Sequence, residues 1–413
     1  MAFIRSKTEE RTGIQIRALP DVHTDLQCDF VMVYGFDPTT PDRINLYKDK
    51  GYVIHFMSGI SWGNYTDYLD GIYDGKNHWD EAQTDRYGNR IMHSERSPYM
   101  VPTVSFADYI ANRLRIVVDA GVEAIHVEEP EFWDRAGYSP AFKREYEMYY
   151  REPWKPQHES ADAKYKCAKL KAYLFTRTID RVASSIKEYS MNKYGKAVRF
   201  YVPTHSLINY TQWKIISPEG KLSDIPAVDG CIAQVWTGTS REQNWFNGER
   251  KERTFETSYL EYGVMQELVK GTGRKMWFLH DPIEDNKIFD WNDYRKNYMA
   301  TVTASLLHPG VDCFEIAPWP NRVFNEKYPK GAPDAELIPD DYTTILYNVF
   351  NTLGTFESEP SQGLRIGILT GDSELCQRAY PDCCFSAPPE EKTGTVLLEE
   401  QSLFDEFTEK LFK

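Results

Sequence analysis

Between residues 29 and 318 the chain repeats one pattern. A run of six to eight residues rich in β-branched and aromatic side chains is followed by a stretch whose apolar positions recur every three or four residues. The runs occupy 29–36, 52–58, 98–103, 124–129, 199–204, 230–236, 275–281 and 313–318. Short runs of this kind read as strands. The stretches between them read as helices. In one, Ser105-Phe-Ala-Asp108 resembles a capping box, and Phe106, Ile110, Leu114 and Val117 form a stripe ending before Gly121. After Ser160, the residues Ala168, Ala172, Phe175, Ile179, Val182 and Ile186 share one face, and Gly195 closes the pattern. A third helix is expected over 255–269. A fourth is expected to start at the N-cap Asp290 and run through Leu307, stopped by His308-Pro309-Gly310.

Eight strands, each followed by a helix or a long excursion, predict the α/β class and a (β/α)8 TIM barrel over about residues 25–355, within the usual length of that fold. An open doubly wound sheet is the rival. It normally carries a glycine-rich first turn, whereas the turn here, Tyr34-Gly-Phe-Asp-Pro38, is not GxGxxG. The expected division is a catalytic barrel over 1–355, a polar linker over 356–363, and over 364–413 the start of a small α/β segment opening with LRIGILT and Gly371-Asp-Ser373.

Composition narrows the function classes. A net charge of −14 argues against nucleic acid as a partner, because phosphate contacts need clustered Lys and Arg. No apolar run approaches the roughly 20 residues of a membrane helix. The seven cysteines show no CxxC or Cys/His spacing, so neither a structural zinc site nor any other cofactor is expected. Cys28, Cys231 and Cys313 adjoin or lie in apolar runs as small hydrophobes, and Cys383-Cys384 sit in a proline-rich stretch. The first residues, MAFIRSKTEERTG, lack an apolar h-region, which reads as a cytoplasmic protein.

A barrel carries its chemistry at the carboxyl ends of its strands. Those ends hold Tyr34 and Asp37; Trp62; His126, Glu128, Glu129, Glu131 and Trp133; His205; Gln234 and Trp236; His280, Asp281 and Glu284; and Glu315 and Trp319. Acids and tryptophans thus converge on one face. In Ala124-Ile-His-Val-Glu128-Glu-Pro-Glu131-Phe-Trp133, alternation sends Ile125 and Val127 toward the helices and His126 and Glu128 into the lumen. Glu129 joins Glu128 if the backbone bulges. Asp281 and Glu315 are the partner acids expected from across the barrel; Glu315 has an alternative reading as a structural acid paired with Arg or Lys. His205 and His280 stand where they can position hydroxyl groups, or are ordinary rim histidines.

Two opposed carboxyl groups ringed by indoles meet the needs of glycosidic cleavage. One protonates the leaving oxygen while the other attacks the anomeric carbon or activates water. Trp62, Trp133, Trp236 and Trp319 offer flat apolar faces to a carbohydrate substrate. Two long excursions, 59–97 with Trp62, Tyr65, Tyr68, Tyr73, His78, Trp79 and Tyr87, and 133–160, are expected to wall the pocket or to form an oligomer contact.

The order of parts resembles that of barrel glycoside hydrolases: GVEAIHVEEPEFW at the fourth strand, acids after the seventh and eighth, then a linker into RIGILTGDS. That last segment resembles the flavodoxin-like domain following the barrel in family 42 β-galactosidases, where it mediates trimer formation. The resemblance implies a homo-oligomer acting on glycosides. The family's Asn-Glu pair after the fourth strand is replaced here by Glu-Glu-Pro-Glu, and its glutamate after the seventh strand by Asp281 or, further along, Glu284. Two other readings use the same residues. A metal-dependent sugar isomerase or epimerase would hold Mg²⁺, Mn²⁺ or Zn²⁺ with Glu129, His205, His280, Asp281 and Glu315. A non-catalytic carbohydrate-binding barrel would need the aromatics but no opposed acids.

Overall fold

A computed structural model describes residues 10–246 and 248–357. Its centre is a closed barrel of eight parallel strands. These are β1 (Thr12–Ile16), β2 (Phe30–Tyr34), β3 (Val53–Gly59), β4 (Ala124–Glu128), β5 (Arg199–Thr204), β6 (Gly230–Ala233), β7 (Lys275–Leu279) and β8 (Cys313–Pro318). Each pairs with its chain neighbour, and β8 returns to β1. The expected α/β barrel is therefore the observed fold.

Two strand assignments change. Thr12–Ile16 is the first strand and carried no sequence signal, because its inward positions are Gly13 and Gln15 and only Ile14 and Ile16 face the helices. The run at 98–103 is not a barrel strand. Its Tyr99, Met100 and Val101 are buried, but their backbone N–H groups donate to Ile91, Ser61 and Glu81, inside the excursion itself. Pro98 and Pro102 bracket the run and lack the donors a central strand needs. The excursion consequently follows β3 and ends at helix Val104–Asp119, capped by Thr103.

The other helices start and stop where capping chemistry places them. Ser160 caps Ala161–Tyr194, which ends at Gly195 in the left-handed conformation, and Asp290 caps Trp291–Leu306. Thr254–Val269 forms the expected helix between β6 and β7, and Asp340–Leu353 is the last described one. The linker from 358 and the segment 364–413, with Cys376, Cys383 and Cys384, lie outside the described residues. Cys28, Cys167, Cys231 and Cys313 are free and buried. Among the described residues, no helix is long and apolar enough to cross a membrane.

Alternation along the strands separates two apolar layers. Val31, Phe56, Ile125, Val127, Val202, Phe278 and Ile316 face the helices. Phe30, Met32, Met57, Tyr201, Ile232, Trp277 and Leu279 fill the lumen. The barrel is thus plugged by side chains below its carboxyl end, as a packed core rather than a pore. Closure also demands close backbone approach: a Cβ added at Gly230 at the start of β6 would lie 2.0 Å from the Lys275 carbonyl oxygen on β7. Gly230→Ala is expected to lower stability by about 1–3 kcal/mol, the usual cost of overpacking, read as a reduced Tm with unchanged far-UV circular dichroism.

Candidate functional site

The carboxyl ends of the strands bring together acids that the lumen shields from water. Glu128, the last residue of β4, is 3% exposed. It accepts a short hydrogen bond from the Tyr34 hydroxyl at the end of β2, and one of 3.0 Å from Gln234 Nε2 beyond β6. Burial, then the charge of Glu129, pushes its carboxyl well above the usual range, against the pull of Tyr34; Glu315 adds to the rise. Glu129 follows with φ +55°, a left-handed conformation uncommon for a non-glycine residue. That kink turns its carboxylate inward, where Trp62 Nε1 donates to it at 2.8 Å and His205 Nε2 stands 3.4 Å away. Both glutamates of the pair therefore reach the same region.

Across the barrel, Asp281 just beyond β7 is fully buried, and burial raises it to about 7 although the Arg322 guanidinium, 3.4 Å away, opposes the rise. Glu315 of β8 is also fully buried and is raised to about 8, first by burial and then by the charge of Asp281. Neither of its oxygens has a hydrogen-bond partner, so the structure does not support the alternative pairing with Arg or Lys. Glu131 is 4% exposed and raised well above its ordinary value by burial and by Glu129, while the Tyr210 hydroxyl pulls it down. With Glu129 and His205 it forms a trio of donor atoms within 4.8 Å of one another, the one group among the described residues that could hold a metal ion. The five-residue cage expected from sequence is not assembled: Asp281 and Glu315 lie outside the trio, and His280 faces away.

His280 sits one residue out of phase with the lumen. Its Nε2 lies 2.7 Å from Ser305 Oγ on helix Trp291–Leu306, and its ring stacks on Phe314. It belongs to the helix layer rather than the mouth. Asp37 is likewise structural, bonded by Arg43 at 2.9 Å and by the Thr39 backbone ahead of helix Thr40–Asp49. His126 does face the lumen but lies below the acids, 3.0 Å from His55 and stacked with Tyr201.

The tryptophans divide. Trp62 and Tyr34 line a cleft of about 370 Å³ with Phe36, Tyr65 and His93, a size suited to a small ligand. The excursion after β3 supplies much of this wall. The Trp62 ring is stacked at 3.8 Å by His93, so one of its faces is already covered. Trp319, also left-handed at φ +54°, sets its ring edge-on to Tyr34 at 4.7 Å. Trp236 lines a second cleft of about 350 Å³ with Arg241, Glu284 and Phe289, in which Glu284 pairs with Arg241 at 3.1 Å. Trp133 carries the Arg135 guanidinium over its ring and packs edge-on to Tyr99. The helix Pro140–Tyr150, within the second excursion, lines a separate cavity on the flank. Sequence reasoning passed over Arg322, His93, Tyr210 and Arg17. Arg322 had the clearest signal, lying in the short helix Pro320–Phe324 that follows β8.

Neither a protein-family profile nor a curated protein sequence matches the chain. Solved structures do. The catalytic domain of β-amylase from Paenibacillus polymyxa is similar at 9% identity and a TM-score of 0.52, over 85% of this chain and 99% of that one. The glycoside hydrolase domain of PelA from Pseudomonas aeruginosa is similar at 10% identity and a TM-score of 0.35, over 65% and 83%. Trehalose-6-phosphate hydrolase from Bacillus licheniformis is similar at 8% and 0.44, over 74% and 64%. At these identities the likeness is one of fold, and that to the β-amylase domain agrees with the closed barrel.

Because Glu315 is buried without a partner, folding holds its proton on while the unfolded chain releases it from about pH 4.5. Its contribution to stability is complete below that pH and is lost as pH rises through about 8. Glu315→Gln is expected to flatten this decline, raising Tm by several degrees more at pH 8 than at pH 5 in paired melts.

Proposed function

We propose that this protein is a glycoside hydrolase in which Glu128 is the proton donor and Asp281 the opposing carboxylate. The observation that supports this reading is a pair of buried acids at the carboxyl ends of β4 and β7, the first of them bonded by Tyr34, which lines an aromatic cleft of sugar size. Burial and the neighbouring charge of Glu129 favour the protonated form of Glu128, the form a general acid needs before transferring its proton to the glycosidic oxygen. Asp281, with a value of about 7 and Arg322 beside it, ionises in the working range. It then acts on the anomeric carbon, directly or by taking a proton from a water. Glu129 positions the system: its charge keeps Glu128 protonated, and its own orientation is set by Trp62 and the backbone kink.

A second reading is favoured by the trio Glu129, Glu131 and His205, whose two carboxylates and imidazole suit a divalent metal in a sugar isomerase. A panel of aryl glycosides assayed with and without a chelator separates the two, and NMR of the first-formed anomer reports retention or inversion. Turnover that survives chelation supports the hydrolase; turnover that stops with it supports the metal site.

Glu128→Gln is expected to lower kcat by about 10²–10⁴-fold, the usual contribution of a positioned acid, while glycoside binding persists by calorimetry. Wild-type kcat/KM is expected to rise with pH through about 7 as Asp281 ionises. Arg322→Met removes the cation that favours the ionised form, so that limb should move to higher pH. A limb that stays in place would count against Asp281.

A further inference from the structure

The cleft beside Glu128 and Glu129 has an unusual charge for this chain. The protein carries 62 acidic against 48 basic residues, yet among the described residues no Asp or Glu lines the cleft, while Arg17 and Arg96 do. The neighbouring cleft around Trp236 shows the opposite composition, with Glu242, Glu252, Glu284 and Asp285 in its wall. His93 is the remaining ionisable nitrogen base at the first cleft, and burial lowers its pKa, which leaves the two guanidinium groups as its cations at neutral pH.

Neither arginine is used up by the fold. Arg17 directly follows β1 and is 64% exposed; its nearest acid, Asp37, is 4.0 Å away and is already held by Arg43 at 2.9 Å. Arg96 stands on the excursion after β3, 66% exposed, and pairs with Asp70 at the surface. Such exposed pairs are worth little and yield to a better partner. The other wall of the cleft leads straight to the acids. Tyr34 lines the cleft and donates to Glu128, and Trp62 lines it and donates to Glu129. A sugar ring seated against Tyr34 and Trp62 therefore touches the two side chains that donate to the acids and shares the cleft with both guanidinium groups.

We infer that the cleft takes a sugar bearing an oxyanion, with Arg17 and Arg96 binding that group while the ring lies against Tyr34 and Trp62. Planar guanidinium groups match carboxylate, sulfate and phosphate oxygens in paired hydrogen bonds, and the acids that pair with these two, Asp37 and Asp70, are not among the residues lining the cleft. The inference rests on the hydrolase reading for its consequence, that anionic glycosides are the preferred substrates. The shared chemistry is the oxyanion; a hexuronate carboxylate and a sugar sulfate or phosphate ester are its possible sources.

Two measurements on the full chain test it. Calorimetric titration of the wild-type protein with glucuronate, galacturonate, glucose 6-sulfate, glucose 6-phosphate and the uncharged hexoses reads the pocket. Anionic sugars should bind at least about tenfold more tightly, with an advantage that shrinks as salt is raised. Which anion binds best names the source. Turnover of matched aryl glucuronides and glucosides by wild type and by the Arg17→Gln/Arg96→Gln double variant then reads the substrate class. The ratio of kcat/KM for the charged over the neutral glycoside should fall about tenfold or more in the variant, the loss expected for a charge-assisted contact. Neutral sugars that bind as tightly as anionic ones, or a ratio that the double variant leaves in place, would overturn the inference. If anionic sugars bind selectively and no glycoside is cleaved under any condition, the charge selectivity stands and the hydrolase reading falls.

Discussion

The site depends on one constraint: several carboxyl groups share a lumen with few opposing charges. Burial alone disfavours each carboxylate, and each neighbouring negative charge adds to the penalty. Glu128, Glu131, Glu315 and Asp281 all respond in the same direction. The opposing charge that favours ionisation of Asp281 is Arg322, which lies nearer to it than to the others in effect as well as in position. The arrangement therefore pushes chemically similar side chains toward their protonated forms to different degrees, Glu315 to about 8 and Asp281 to about 7. Such differences are the physical basis for assigning acid and base roles to carboxyl groups on one scaffold.

The opposite end of the barrel handles buried charge differently. Glu10 lies 3.3 Å from His55 Nε2 and is bonded by Arg199, and its carboxyl is held well below the usual range despite its burial. His55 in turn meets His126, and both rings are kept toward the neutral form chiefly by burial. Here a negative charge is matched by a guanidinium and by ring nitrogens, the pattern of a structural network. Phe30, Tyr201 and Trp277 lie between this network and the mouth, in the apolar plug of the lumen. The barrel thus matches the charge of Glu10 with a guanidinium at its amino end and leaves Glu315 without a hydrogen-bond partner in its lumen, in keeping with the division of stability and chemistry between the two faces of this fold.

Much of this was legible in the chain, for identifiable reasons. The strands at 124, 199, 230, 275 and 313 announce themselves because both faces are buried, one on helices and one in the lumen, so apolar residues run nearly unbroken. Thr12–Ile16 does not, since Gly13 leaves its inward place to the Phe30 ring and Gln15 is polar. The 98–103 run deceived because buried loop backbone with Tyr, Met and Val looks like strand until its prolines are weighed. Alternation correctly placed Glu128 inward and Ile125 and Val127 outward. The same rule applied to β7 puts Leu279 inward and His280 outward, as observed. Asp37 was read among the site residues, although Thr39 and Thr40 after it mark the turn in which it is held. The inward turn of Glu129 was not legible beyond a conditional bulge, because no residue type marks a left-handed glutamate.

That glutamate has a counterpart that explains how the mouth is held together. Among non-glycine residues with positive φ, Glu129 and Trp319 each follow the last residue of a barrel strand, on β4 and β8. Each pays for its backbone conformation with a specific contact: Trp62 fixes the Glu129 carboxylate, and Trp319 lays its ring against Tyr34. Tyr34 donates to Glu128, so the chain of contacts runs from β8 through β2 to β4 and returns to the kink beside it. Strained residues persist where surrounding packing over-determines them. In this barrel they sit on either side of the Tyr34–Glu128 bond, which places a buried pair, both raised well above their ordinary values, between two left-handed backbone turns.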